Sequence, residues 1–208
     1  MYDVDPTHEH PPQPDVEDSP LTQYQLTQMA VEELLVEKGI FAPEEMRRQL
    51  ERMDTISPAQ GAKLVARAWV DENFKSRLIA NSQEAGAELG LDIGPVPILV
   101  MENTPGVHNV IVCTLCSCYP RYLLGFPPDW YKSRAYRSRV VREPRTVLAE
   151  FGTELSDGVQ IRVHDSNADM RYMVLPMRPE GTKDMDEDAL AALVTRDCMI
   201  GVAVPRTG

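Results

Sequence analysis

Residues 107–120 read VHNVIVCTLCSCYP. The first half, rich in Val and Ile and preceded by Pro105-Gly106, has the character of a short apolar strand. The second half sets Cys113, Cys116 and Cys118 at i, i+3 and i+5 directly after that strand. Three sulfurs so spaced converge only if the chain wraps tightly where the strand ends. Such a wrap also turns the peptide nitrogens of Ser117 and Cys118 inward, between the sulfurs of Cys116 and Cys118. One loop then offers three sulfurs and two amide nitrogens, and leaves a sixth octahedral position open. Amide nitrogens bind a metal only when deprotonated, which demands a strongly Lewis-acidic centre such as trivalent cobalt or iron.

Other readings of the three cysteines stand beside this one. A structural zinc site draws on two ligand pairs separated by a longer loop, yet the only other cysteine is Cys198, in a stretch that reads as a strand. An iron–sulfur site wants a fourth cysteine and other spacing. A redox C-x-x-C opens a helix and has no third sulfur two residues on. Buried, unreactive cysteines are the plainest reading.

Outward from the loop, the chain changes character near residue 92. PVPILVM (95–101), VQIRVHD (159–165), RYMVLPM (171–177) and CMIGVAV (198–204) read as strands, with Val159, Ile161 and Val163 alternating against Gln160, Arg162 and His164. REPRTVLAEF and DEDALAALVTR read as helices between them. Before residue 92 the pattern is helical throughout. Leu26, Met29, Ala30, Val31, Leu34 and Leu35 recur at helical spacing after Thr22, with Gly39 as the C-terminal glycine. Further starts are expected at Pro43, with Glu44 and Glu45 at the positive end of the dipole, at Ser57-Pro58, at Asp71 and at Ser82. The stripe of the third helix includes Ala62, Val65, Ala66 and Trp69. These readings divide the chain into an acidic, proline-rich disordered tail (1–20), a helical arm (21–91) and an α/β domain carrying the candidate metal-binding loop (92–208). His8 and His10 in the tail form at most a weak metal-binding tract.

The 208 residues carry 21 Lys and Arg against 32 Asp and Glu, a net charge of −11, which excludes nonspecific binding to nucleic acid or to an anionic membrane. Four cysteines are too few for a disulfide scaffold. No apolar run is long enough to span a bilayer, and the first twenty residues hold six acids, no base and no apolar core of a secretory signal, so a cytoplasmic location is expected. Residues 121–150 run against the overall charge, with seven bases to three acids. Arg137, Arg139, Arg142 and Arg145 are expected to pair with acids of this chain or of a partner. His108 and His164 read as members of strand-face networks, Cys198 as a small buried residue, and Trp69 and Trp130 as packing aromatics.

The loop VCTLCSC with Tyr119-Pro120 resembles the metal-binding loop of the nitrile hydratase family, specifically its metal-carrying α subunit. The resemblance runs on through Leu124-Gly125, Pro128, Trp130-Tyr131-Lys132-Ser133, Tyr136 to Val141, Pro144-Arg145, Val163 to Ser166, Arg178-Pro179, Gly181-Thr182 and Met199 to Val202. Upstream it takes in Gly61-Ala62-Lys63 and Ala68 to Asp71, so that residues 24–204 are covered. The fold class expected from these readings together is α+β, an N-terminal helical arm followed by a C-terminal layered α-β-β-α domain carrying the metal loop. The resemblance implies that Cys113 is the axial thiolate, that Cys116 is oxidised to a sulfinic and Cys118 to a sulfenic acid, and that the amides of Ser117 and Cys118 complete the metal plane. Thr114 matches the cobalt type, which implies low-spin Co(III), with iron the less favoured metal.

A β-type partner subunit, possibly split into two chains, is then expected to cover the site, and a metallochaperone or activator to load it. The implied reaction is hydration of a nitrile to its amide, with the oxygen on Cys118 beside the open position. One departure bears on the substrate. Many nitrile hydratases carry Trp after Tyr-Pro, whereas this chain carries Arg121, which resembles the metal-bearing subunit of thiocyanate hydrolase, a relative converting thiocyanate to carbonyl sulfide and ammonia. A guanidinium there favours an anionic or polar substrate; its alternative role is an ion pair with a partner's carboxylate. A non-enzymatic metal-binding protein is the third reading.

Overall fold

The structure, a computed structural model, describes residues 20–116 and 118–207. The acidic tail, with His8 and His10, lies outside the described residues but for Pro20, and so does Ser117. The chain divides into two compact units between Arg52 and Met53.

The first unit holds α1 (Gln23–Glu37) and nearly all of α2 (Pro43–Asp54). Thr22 caps α1 through a capping box in which its hydroxyl accepts from Gln25 N and the Gln25 side chain accepts from Thr22 N. Gly39, at φ +65°, ends it in the left-handed region as expected. Neither helix has a buried residue.

The second unit contains α3 (Ala59–Val70), α4 (Glu72–Ala80), α5 (Ser82–Glu88), β1 (Ile98–Glu102), β2 (Val107–Val112), α6 (Arg121–Leu124), α7 (Asp129–Lys132), α8 (Arg134–Arg139), α9 (Pro144–Glu150), β3 (Gln160–Asp165), β4 (Arg171–Leu175), α10 (Glu187–Ala192) and α11 (Arg196–Ile200). Helix gives way to strand between α5 and β1, near the change of composition, while packing binds α4 and α5 to β1 and α3 to α4, α6, α10 and α11.

The strands form two parallel pairs rather than one sheet. β1 pairs with β4, from Ile98 opposite Arg171 to Glu102 opposite Leu175, and β2 with β3, from Val107 opposite Gln160 to Val112 opposite Asp165. Parallel pairing requires a long crossover. The crossover from β2 to β3 carries the cysteine loop and α6 to α9. α4 and α5 pack on β1, β2 and β4 meet, and α9 packs on β3, giving the helix–sheet–sheet–helix layering. Val110, Ile111 and Val112 are wholly buried, as are Met173 and Val174 of β4. Strands covered on both faces become uninterrupted apolar runs, which is why VHNVIVC reads as it does.

Three local expectations fail, each for a physical reason. CMIGVAV is not a strand. Cys198 to Ile200 finish α11, whose N-cap Thr195 accepts from Cys198 N, and the helix stops at Gly201 with φ +93°. Ser82 does not cap α5; Asn81 does, and the buried Ser82 hydroxyl donates instead to Ile98 O at 2.5 Å, tying α5 to β1. Ser57 makes no cap for α3, which starts after Pro58 without side-chain capping.

Buried polar side chains tie β2 to its surroundings. His108 Nε2 lies 2.7 Å from Gly201 O, an acceptor, so this nitrogen carries the proton and Nδ1 accepts from Asn103 Nδ2 at 3.3 Å. Asn109 donates to Glu102 O and Asn103 Oδ1, leaving its own Oδ1 to accept from His164 Nε2 at 2.8 Å. Both histidines are network residues, and burial lowers the pKa of each.

Candidate metal centre

β2 delivers the cysteine loop. Its last residue, Val112, is buried, Cys113 is wholly buried behind it, Cys118 is half-buried and Cys116 exposed. The chain turns back immediately, with Cys116 N donating to Cys113 Sγ at 3.2 Å. The Sγ atoms of Cys113 and Cys116 stand 3.4 Å apart, those of Cys116 and Cys118 3.1 Å, and all three lie within 4.8 Å of one another. The i, i+3, i+5 spacing therefore converges as the sequence predicts. The amides expected from Ser117 fall outside the described residues.

Electrostatics dictate what such a cluster can hold. Two thiolates at 3.4 Å would repel by about 5 kcal/mol at an effective dielectric near 20. In the metal-free chain, burial, then the hydrogen bond from Cys116, then the nearby Cys113, push the Cys118 thiol up to about 12. A multivalent cation at the centre of the three sulfurs reverses this balance and ionises them. The donor set thus fits a thiophilic metal ion bound by one loop.

The loop backbone is gripped from outside. At its start, Asp165 at the end of β3 accepts from Thr114 N at 2.9 Å and from the Thr114 hydroxyl. The register places it there, since Asp165 stands opposite Val112. Tyr136 donates to Ile111 O at 2.8 Å, Tyr131 to Cys118 O at 3.0 Å, and Arg137 Nη1 to Cys116 O at 3.0 Å. Burial drives both tyrosine pKa values upward, so both phenols remain donors. The two rings pack with Tyr119 and Trp130 in one aromatic cluster. Trp130 is thus the packing aromatic expected, and Trp69 donates from its indole nitrogen to Pro176 O.

Of Arg137, Arg139, Arg142 and Arg145, Arg139 alone pairs with acids of this chain among the described residues, with Glu143 and Glu150. Arg142 donates to Ser138 O, Arg145 to the carbonyls of Leu155, Ser156 and Val159, and Arg137 to Cys116 O. A guanidinium presents five donors in a fork, which suits it to collecting loop carbonyls, and composition alone does not separate that use from ion pairing. The sequence reading missed Asp165, Tyr131 and Arg137 as supports of the loop, although each falls in a stretch that it had singled out.

Arg121 begins α6, three residues after Cys118. Its guanidinium carbon sits 4.0 Å over the Phe126 ring, while Nε and Nη2 are buried without a hydrogen-bond partner. It lines a cavity of about 120 Å³ together with Ile93, Tyr119, Tyr122 and Arg171. The positive charge of Arg171 reaches Cys118, whose thiol it pulls downward against the stronger effect of burial. No carboxylate among the described residues pairs with Arg121 or Arg171. Cys198 is buried beside Thr195 and takes no part in the sulfur cluster. Among the described residues no helix is long and apolar enough to cross a membrane.

Comparison with known proteins agrees with this geometry. Residues 22–203 match the family described as "Nitrile hydratase, alpha chain". The chain is 46% identical to the thiocyanate hydrolase subunit gamma of Thiobacillus thioparus, over 95% of this chain and 85% of that one. It is 50% identical to the low-molecular weight cobalt-containing nitrile hydratase subunit alpha of Rhodococcus rhodochrous, over 86% of this chain and 87% of the relative. Among solved structures, a recombinant thiocyanate hydrolase with partially modified cobalt centres superposes with a TM-score of 0.86 at 46% identity, covering 91% of this chain and 93% of that one. With the sulfur cluster, the layered fold and these relatives in accord, the chain belongs to the nitrile hydratase alpha chain family.

Proposed function

We propose that this chain is the metal-carrying subunit of a nitrile hydratase, adding water to R–C≡N to give R–CO–NH2 in a complex with a β-type partner. The convergence of the Cys113, Cys116 and Cys118 sulfurs within 4.8 Å is the observation that carries this reading. The ligands are those three sulfurs and the amides of Ser117 and Cys118. Cobalt in the trivalent state is the metal, in keeping with a relative named as cobalt-containing, and iron is the alternative. The bound ion supplies Lewis acidity at one open position.

The chain's own residues supply the rest. Cys113, wholly buried, stays a thiolate on the protein side. Cys116 carries a sulfinic and Cys118 a sulfenic oxygen, and the oxygen on Cys118 takes the proton of the attacking water or attacks the nitrile carbon. Tyr131 holds the Cys118 carbonyl and so steadies the backbone from which that sulfur projects. Loading by a metallochaperone and a cytoplasmic location belong to the same reading, since the thiols must stay reduced until the metal enters.

A second reading is favoured by one observation: Arg121 and Arg171 line the same small cavity, neither paired with a carboxylate of the described residues. Two guanidinium groups suit an anion. On this reading the substrate is thiocyanate, which with two waters gives carbonyl sulfide, ammonia and hydroxide. The deciding experiment uses the chain with the partner that co-purifies, loaded with cobalt. Amide from an organic nitrile supports the first reading, and carbonyl sulfide from thiocyanate the second. Cys118→Ser is expected to abolish turnover and the cobalt–thiolate absorption together; retained turnover would refute both.

A further inference from the structure

Among the described residues, buried side-chain nitrogens or oxygens without a hydrogen-bond partner belong to Gln60, Arg121, Arg137 and Ser166. Of these residues only Ser166 is itself wholly buried, at 1% exposed. A buried hydroxyl without a partner is costly, and native proteins seldom keep one without a use. At that depth its partner has to come from inside the fold. The ladder of β2 and β3 says which group stands opposite. Gln160 faces Val107, and its N–H donates to Gly106 O, on the residue before that partner. Ser166 N–H repeats the pattern on Val112 O at 2.7 Å, which sets Ser166 opposite Cys113, one step beyond the strands. Register partners in a parallel pair project to the same face, with Cβ atoms about 5 Å apart. The alternation persists past the strand ends, since Asp165, on the other face, meets Thr114. Cys113 is wholly buried, and its Sγ already accepts from Cys116 N at 3.2 Å. The Tyr131 phenol neighbours both residues: burial raises its pKa, Cys113 adds to the rise and Ser166 opposes it.

We infer that Ser166 is a positioning residue for the metal-bound form of Cys113: its hydroxyl donates to that sulfur once the sulfur is a thiolate. This deepens the function proposed above and rests on it for the presence of the metal. As a thiol, Cys113 is a weak acceptor, which leaves the hydroxyl idle. Metal binding makes the same sulfur an anion, and hydrogen bonds to an anion are shorter and stronger. Such a bond holds the ligand in orientation and draws electron density from the sulfur. It thereby lowers the sulfur electrons whose transfer to the metal gives the thiolate absorption.

The test compares the native chain with Ser166→Ala and Ser166→Thr, each produced with the co-purifying partner and studied both metal-free and loaded with cobalt. Ser166→Ala is expected to act differently in the two states. Metal-free, it removes an idle hydroxyl, so the urea midpoint stays level with native or rises. Loaded with cobalt, it removes a donor to the ligand. Cobalt retention against a graded chelator then falls about tenfold, and the cobalt–thiolate absorption moves to longer wavelength. Ser166→Thr, which keeps the hydroxyl, is expected to keep the absorption at its native position. An absorption unmoved in Ser166→Ala overturns the inference and leaves the proposed function standing, and so does an equal shift in both variants. A lower metal-free urea midpoint in Ser166→Ala also overturns it, since the hydroxyl then has a partner before any metal enters and serves only the fold. A native complex that takes up no cobalt and shows no thiolate absorption overturns the proposed function itself.

Discussion

Asp165 offers the sharpest measure of how far the loop depends on its surroundings. Its carboxylate accepts from both Thr114 N and the Thr114 hydroxyl, anchoring the residue that follows Cys113. Hydrogen bonds to a charged group contribute about 1.5–3 kcal/mol when well buried. Asp165 is exposed, so roughly 1 kcal/mol for each is the appropriate scale, about 2 kcal/mol for the pair. If the metal-free loop of Asp165→Ala loses that organisation, the whole amount must be recovered on binding, which weakens metal retention by roughly 30-fold. Asp165→Asn keeps an acceptor for the amide but loses the charge, and is expected to fall by roughly fivefold. Thr114→Val, which removes the hydroxyl arm alone, should match Asp165→Asn. The assay is cobalt retention by the native complex against a graded chelator, read by metal analysis and by the thiolate absorption. Retention within about twofold of native in Asp165→Ala would show that the loop is organised by its sulfurs alone, and the reasoning from its external supports would collapse.

Two further outcomes follow from the network behind the loop. His108 and His164 both have folded-state pKa values below the ordinary 6.5, so the unfolded chain binds their protons first. Their contribution to stability is complete above about pH 6.5 and is lost as the pH falls through that value toward their lower folded values. The urea midpoint is therefore expected to drop between pH 7.5 and pH 5.5, above the range of the carboxylates, and His108→Gln should flatten the drop; a midpoint unchanged over that interval would contradict the assignment. Gly201→Ala would place a Cβ 2.1 Å from Asn109 O at a residue with φ +93°. A destabilisation above about 3 kcal/mol is expected in denaturant titration, against little change for Gly158→Ala, whose added Cβ meets nothing within 4 Å.

The parts of this fold legible in the sequence are those where one local signal decides the outcome. The capping box of Thr22 and Gln25, the Asp71 cap and the apolar run of β2 each state their structure within a few residues. CMIGVAV misleads because its buried run, Cys198 to Val202, loses the periodicity that separates helix from strand. The deciding signal is Thr195 three residues before Cys198, with Gly201 at the far end. The sulfur cluster was legible because its geometry is set by spacing within one loop. Its supports were not, since Thr114 meets Asp165 across 51 residues and Arg137 meets Cys116 across 21. Only the parallel register of β2 with β3, itself a product of the long crossover, brings the first pair together.

That distribution of contacts carries a mechanistic consequence. The four groups that hold the loop act on backbone or on Thr114: Asp165 on Thr114, Tyr136 on Ile111 O, Arg137 on Cys116 O, and Tyr131 on Cys118 O. None of these four bonds is made to a sulfur. The oxidation proposed for Cys116 and Cys118 would therefore break none of these four bonds. The supports also differ in exposure. Tyr131 and Tyr136 are buried, whereas Asp165 reaches solvent. Loosening is therefore expected to begin at Thr114 rather than at Cys118. Hydrogen exchange on the metal-free chain, with the Thr114 amide exchanging ahead of the amides of β2, is the corresponding observation. Exchange of β2 first would place the weak point in the sheet and not in the loop.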